Sequence, residues 1–122
     1  MPTEAVHTRW SDIPEEQLNP HITRQFVYGS QSMFARLELK KGCFVPRHQH
    51  PNEQITYVTQ GALRFLLGED GALEEKVVRA GDLLIIPANL PHSAEALEDT
   101  IDFDIFAPPR QDWLSKDDSY LR

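Results

Sequence analysis

Four side chains of this sequence have the types and spacing of a metal-binding set. His48 and His50 stand two residues apart, Gln54 follows four residues on, and His92 comes from a distant segment behind Pro87 and Pro91. Three imidazoles and one amide oxygen make an N3O donor set. Such a set suits one borderline first-row divalent ion, Ni, Zn, Fe or Mn, better than Mg or Ca. In an extended segment side chains alternate with period two. His48 and His50 then share a face, and Gln54 has the parity to rejoin it beyond Pro51. Glu53 competes for the fourth position, but its parity points it away. A neutral Gln beside three neutral His leaves the ion formally 2+, where a Glu would leave it 1+. The more positive ion binds anionic or enolate-like oxygen more strongly and is the stronger Lewis acid. His7 and His21 have no such company and read as ordinary surface or core residues.

A second group lies near the C-terminus. Ile101, Phe103 and Ile105 alternate with Asp102, Asp104 and Phe106, the signature of a strand with two different faces. The two carboxylates either face solvent or look into the mouth of a barrel. In the second setting one of them can move protons as a general acid or base. Arg110 follows the stiff pair Pro108-Pro109. Its planar fork suits a substrate carboxylate, or else pairs with a surface Glu or Asp.

These residues need a scaffold, and the chain reads as one built of strands. Residues 24–28, 33–39, 54–59, 62–67, 73–79, 83–86, 92–97 and 101–106 have strand character, separated by glycine- and proline-bearing turns. Short strands at such spacing, with almost no helical periodicity, mean an all-β sandwich or barrel. Leu83-Leu84-Ile85-Ile86 is a continuous apolar run, as expected of a strand buried on both faces. Trp10 to Leu18 reads as one helical turn capped by Ser11 or Asp12, with Trp10 as a packing residue. The resulting division is an N-terminal arm over residues 1–22, a β-barrel over 23–114 and a polar, frayed tail over 115–122. Arg110 to Leu114 reads as one further helical turn.

The spacing around the histidines resembles the paired motifs of the cupin superfamily. Gly42-x5-His48-x-His50-x3-Gln54-x6-Gly61 follows the first motif, with Gln54 where the family has Glu. Gly81-x5-Pro87-x-Asn89-x2-His92-x3-Ala96 follows the second, with Asn89 for Gly and Ala96 for Asn. The resemblance implies a single-domain cupin, a double-stranded β-helix or jelly-roll barrel. A closer resemblance covers His48 to Val58 and Asp104 to Trp113, which look like the small single-domain KdgF family of pectin degradation. That family converts 4,5-unsaturated monouronates to linear keto forms. It implies His48, His50, Gln54 and His92 as metal ligands, and Asp104, Phe106 and Arg110 as pocket residues. Asp104 would then shuttle a proton, Phe106 pack against the sugar ring and Arg110 hold the carboxylate. A metal-dependent dioxygenase and a noncatalytic sugar-binding module are the competing classes.

The bulk properties narrow the partners. The chain has 122 residues and a formal net charge of -7, which argues against nonspecific binding to nucleic acid or an anionic membrane. No apolar run approaches the length of a bilayer span. Cys43 is the only cysteine, so no internal disulfide forms. With no basic-then-apolar leader, a cytoplasmic setting is the expectation. A small anionic substrate is the expected partner. A homodimer is also expected, because open sheet edges need cover, with Trp10, Phe26, Tyr28 and Phe34 as candidate contacts.

Overall fold

The computed structural model describes residues 3–122. Ten antiparallel strands run in chain order: β1 (Glu16–Asn19), β2 (Ile22–Tyr28), β3 (Met33–Leu39), β4 (Phe44–His48), β5 (Glu53–Gln60), β6 (Ala62–Leu67), β7 (Glu74–Arg79), β8 (Leu83–Ile86), β9 (His92–Ala96) and β10 (Thr100–Ala107). They form a six-stranded sheet, β1-β2-β3-β10-β5-β8, and a four-stranded sheet, β4-β9-β6-β7. The inner faces pack on one another. Strict alternation explains which residues lie inside. In β3, Met33, Ala35, Leu37 and Leu39 are buried. In β10, the buried residues are Thr100, Asp102, Asp104 and Phe106. The core between the sheets holds Val45, Val58, Leu63, Phe65, Val78, Ile86, Ala94 and Ala96.

Turn geometry fixes the register. Gly61, between β5 and β6, has φ 89°, and a Cβ there would lie 2.8 Å from the Thr100 Cα and against the Asp99 carbonyl. Both the positive φ and the backbone contact demand glycine. Gly61→Ala is expected to lower unfolding free energy by roughly 1–3 kcal/mol or more, read from urea denaturation. Asn89 takes φ 64°, so the residue standing in for the motif glycine adopts the left-handed conformation that Asn tolerates. Its N–H donates to the His50 carbonyl at 2.8 Å, tying the second motif to the first.

Several expectations are corrected. Only Trp10–Asp12 forms a turn, of the 3-10 kind, with no side-chain cap. Glu16–Asn19 is instead an edge strand paired with β2, because Pro14 ends the turn and Leu18 gains burial in the core. β8 is not buried on both faces: Leu83 and Ile85 are 67% and 64% exposed, and only Ile86 is fully inside. An edge strand with one covered face has replaced the sandwiched one. Trp10 does pack, against Phe34 and Phe103. Phe26 pairs with Ala35 and Val27 with Phe34, so Phe26 and Phe34 lie on opposite faces of the β2–β3 ribbon. The tail is not frayed: Asp118 and Leu121 are buried, and Ser119–Leu121 forms a 3-10 turn. Among the described residues no helix is long and apolar enough to cross a membrane.

Candidate metal centre and its cavity

Both sheets contribute to one cavity at the mouth of the barrel. His48 ends β4 and His92 begins β9, where they are register partners. His50 lies in the turn between β4 and β5. It therefore reaches the cluster by that turn and not by strand alternation. One ring nitrogen from each of the three lies within 4.8 Å of the others. Gln54 is the second residue of β5, and its neighbours across the sheet are Ile86 and Phe106. It is buried, while Glu53 is exposed.

Hydrogen bonds fix the tautomers. The Nδ1 atoms of His48, His50 and His92 lie 2.9, 3.1 and 2.9 Å from the carbonyls of Pro46, Asn52 and Leu90. A carbonyl only accepts, so each Nδ1 carries the hydrogen and each Nε2 keeps its lone pair. Burial favours the neutral rings. It pulls His48 down to about 3, with help from His92, and His50 to about 4, with help from Arg110. His92 is also lowered, again mainly by burial.

The amide of Gln54 is oriented by its surroundings. Its Nε2 donates to Thr56 Oγ1 at 2.9 Å, and the Thr56 hydroxyl donates to Asp104 Oδ1 at 2.6 Å. The amide nitrogen is thus held toward Asp104, and Oε1 is left 3.1 Å from His50 Nε2. Two lone-pair atoms at that separation repel one another unless a positive charge lies between them. The donor set and its orientation therefore fit a divalent metal.

Asp102 and Asp104 project inward from β10 and are both buried. The open question of which way they face is settled: neither looks to solvent. Burial raises both carboxyls above the usual range, and Asp104 pushes Asp102 higher still. Asp104 is held by Thr56 and Gln54. Phe106 is 1% exposed and stands edge-on to His50, with ring centroids 5.7 Å apart.

Arg110 is buried over the rings of Phe106 and Trp113, 4.9 Å from each centroid. Its fork is not open. Nε and Nη2 donate to the two oxygens of Asp112 at 2.9 and 2.7 Å, and Nη2 also donates to the Tyr120 hydroxyl. Nη1 makes no hydrogen bond to the described residues. The indole Nε1–H of Trp113, also at the cavity wall, has no acceptor either. The cavity of about 60 Å³ is lined by His48, Gln54, His92, Asp104, Arg110 and Tyr120 among others. Thr56, Asp112, Trp113 and Tyr120 were not foreseen as site residues. Thr56 shares the parity of Gln54 and was legible in that way; Tyr120 carried no local signal.

A fold of two antiparallel sheets with a histidine cluster at one end defines a class, and comparison with known proteins agrees. The family described as the cupin domain matches residues 35–107, and the chain belongs to that family. Among solved structures, KdgF from Halomonas sp. superposes with a TM-score of 0.80 at 27% identity, over 90% of this chain and 99% of that one. An RmlC-like cupin from Shewanella frigidimarina gives a TM-score of 0.78 at 25% identity, over 90% and 96%. A curated relative, 3-hydroxyanthranilate 3,4-dioxygenase of Cupriavidus pinatubonensis, is 29% identical over 74% of this chain and 48% of its own length. The chain spans about half the length of the curated relatives it matches.

Proposed function

We propose that this cupin is a metal-dependent tautomerase that converts unsaturated monouronates, or a similar small anionic sugar acid, to linear keto forms. His48, His50, Gln54 and His92 would hold one divalent ion, Ni, Zn, Fe or Mn. When bound, the ion supplies Lewis-acid polarisation of a substrate oxygen. The observation that carries the reading is an uncommitted guanidinium nitrogen in the same cavity as a buried carboxyl. Arg110 Nη1 has no partner among the described residues, and Asp104 lines that cavity with its proton affinity raised.

In this reading the chain does three things. Arg110 Nη1 donates to the substrate carboxylate, with Asp112 and Tyr120 keeping the guanidinium flat against Phe106 and Trp113. Phe106 packs on the sugar ring and excludes water. The Asp104 carboxyl, whose proton affinity burial raises, would give a proton to C4 as the C4=C5 double bond opens and C5 takes a carbonyl with the ring oxygen. The bond from that oxygen to C1 breaks, the C1 hydroxyl becomes the aldehyde, and its proton returns to the Asp104 carboxylate, so that atoms and charge balance. Thr56 holds Oδ1 throughout and fixes the carboxyl plane.

The test is to measure metal content of the purified protein, then to follow loss of the enol absorbance of 4,5-unsaturated galacturonate and mannuronate. About one equivalent of metal and acceleration over the spontaneous reaction, lost on chelation and regained with metal, are the expected results. No acceleration with either uronate removes the assignment. The dioxygenase reading is favoured by the curated relative named above. It would show as oxygen consumption with an aromatic substrate, but the neutral Gln54 gives an oxidised metal less support than an anionic ligand does.

A further inference from the structure

The three histidines are not equally sheltered. His50 and His92 are buried, whereas His48 is only partly so. The group lying over His48 comes from the far end of the chain. The ring of Tyr120 stacks on it with centroids 4.5 Å apart and planes at 28°, and Tyr120 and Leu121 help line the cavity. Tyr120 is itself half-buried, with its outer side toward solvent. It therefore stands between the histidine cluster and bulk water.

The tail that carries Tyr120 is held from outside the site. Asp118 accepts from Arg24 Nη1 and Arg122 Nε, each at 2.8 Å, and both partners of the Arg24–Asp118 pair have fully buried side chains. Asn19 Nδ2 donates to the Leu121 carbonyl at 2.9 Å. On the inner side, the Tyr120 hydroxyl accepts from Arg110 and donates to Asp112. The ring is thus fixed at both ends, by a latch on β1–β2 and by the Arg110–Asp112 pair. A surface tyrosine with no role would need neither tether.

We propose that Tyr120 is an access- and specificity-determining residue: latched by Asp118, it walls the cavity over His48 and limits what reaches the histidine cluster. The proposal rests on the reading of that cluster as the working site, but not on the identity of the substrate. Truncating the ring opens the face of His48, whereas removing only the hydroxyl leaves the wall standing.

The experiment labels EDTA-treated protein with diethyl pyrocarbonate and follows modification of His48 by mass spectrometry. In parallel it measures the rate at which cobalt-loaded protein loses its metal to excess EDTA. Tyr120→Ala is expected to raise the His48 labelling rate by about tenfold or more and to speed cobalt loss similarly. Tyr120→Phe, which gives up the hydroxyl tether but keeps the ring on the Asp118 latch, is expected to stay much closer to wild type than to Tyr120→Ala in both. Asp118→Asn loosens the latch from outside the cavity lining, should shift labelling in the same direction as Tyr120→Ala and serves as the second variant, with its urea midpoint read alongside to separate an opened wall from a weakened fold. Equal His48 labelling in wild type and Tyr120→Ala overturns the proposal, as does acceleration by Tyr120→Phe equal to that of Tyr120→Ala. Because labelling requires no turnover, a protein inactive on uronates but sensitised by Tyr120→Ala would refute the substrate assignment and leave the access role standing.

Discussion

Replacing Asp104 with asparagine is expected to lower turnover of the proposed uronate substrate by roughly 10²–10⁴-fold, the range for loss of a general acid or base, with metal content staying at the wild-type level. The substitution is nearly isosteric. Asn retains an oxygen to accept the Thr56 hydroxyl now bonded to Oδ1, so the Gln54 amide keeps its orientation toward His50. What is lost is the exchangeable proton. The two readouts separate chemistry from scaffold: loss of enol absorbance reports the first, and metal analysis the second. A variant that turns over at the wild-type rate removes Asp104 from the mechanism. A variant that loses both rate and metal shows that Asp104 acts through Gln54 as a support for the site.

The second large effect concerns stability. Asp118→Ala leaves the Arg24 guanidinium buried without its main counter-charge, and breaking a buried pair in this way costs about 3–5 kcal/mol. Glu16, 3.2 Å from Arg24 Nη2 but one-third exposed, offsets only part of the loss. The Arg24 guanidinium also lies 4.3 Å from the Trp113 ring centroid, so the damage spreads to the cavity wall. Urea denaturation reads the change, and a difference below about 1 kcal/mol, the scale of an exposed pair, would show that the pair is not the latch described. The pH dependence has a definite sign. Burial raises the Asp118 carboxyl, but hydrogen bonds from Arg122 and Arg24 outweigh it and hold the group below its usual range. Its contribution is therefore fully present above the unfolded carboxylate pKa of about 4 and is lost as pH falls through the lower native value. In Asp118→Ala that part of the acid dependence disappears.

The strands and the histidine cluster were legible in the sequence because both are written locally. Alternation in Met33–Leu39 and Ile101–Phe106 sets which side chains lie inside, and glycine or asparagine spacing sets the turns around His48 and His92. Gln54 was separated from Glu53 by parity alone. His50 arrived in the same cluster for a different reason, since it sits in a turn. Leu83–Ile86 was misread because four apolar residues look alike whether one face or both are covered. The tail was misread for a deeper reason. Asp118 is polar by composition, and its partner Arg24 lies 94 residues away. Distance along the chain also hid Tyr120: nothing near it in the sequence announces His48. The fork of Arg110 was left open between a substrate carboxylate and a neighbouring Glu or Asp, and Asp112 could be recognised as the partner only once the turn at Gln111–Leu114 had formed.

The pairing of His48 with His92 also bears on how the protein is made. No continuous stretch of the chain contains the cluster. β4 and β9 meet only after the intervening β5 to β8 have been looped out, and long-range antiparallel pairing of this kind is slow because the closure entropy is met before the contacts form. Gln54 belongs to the other sheet and must be brought across as well. A nascent or partly folded chain therefore offers at most the local pair His48 and His50, a far poorer ligand set than the finished one. In the proposed site metal capture would be a late event in folding, and an ion held by all four donors would report that the two sheets have already closed on each other.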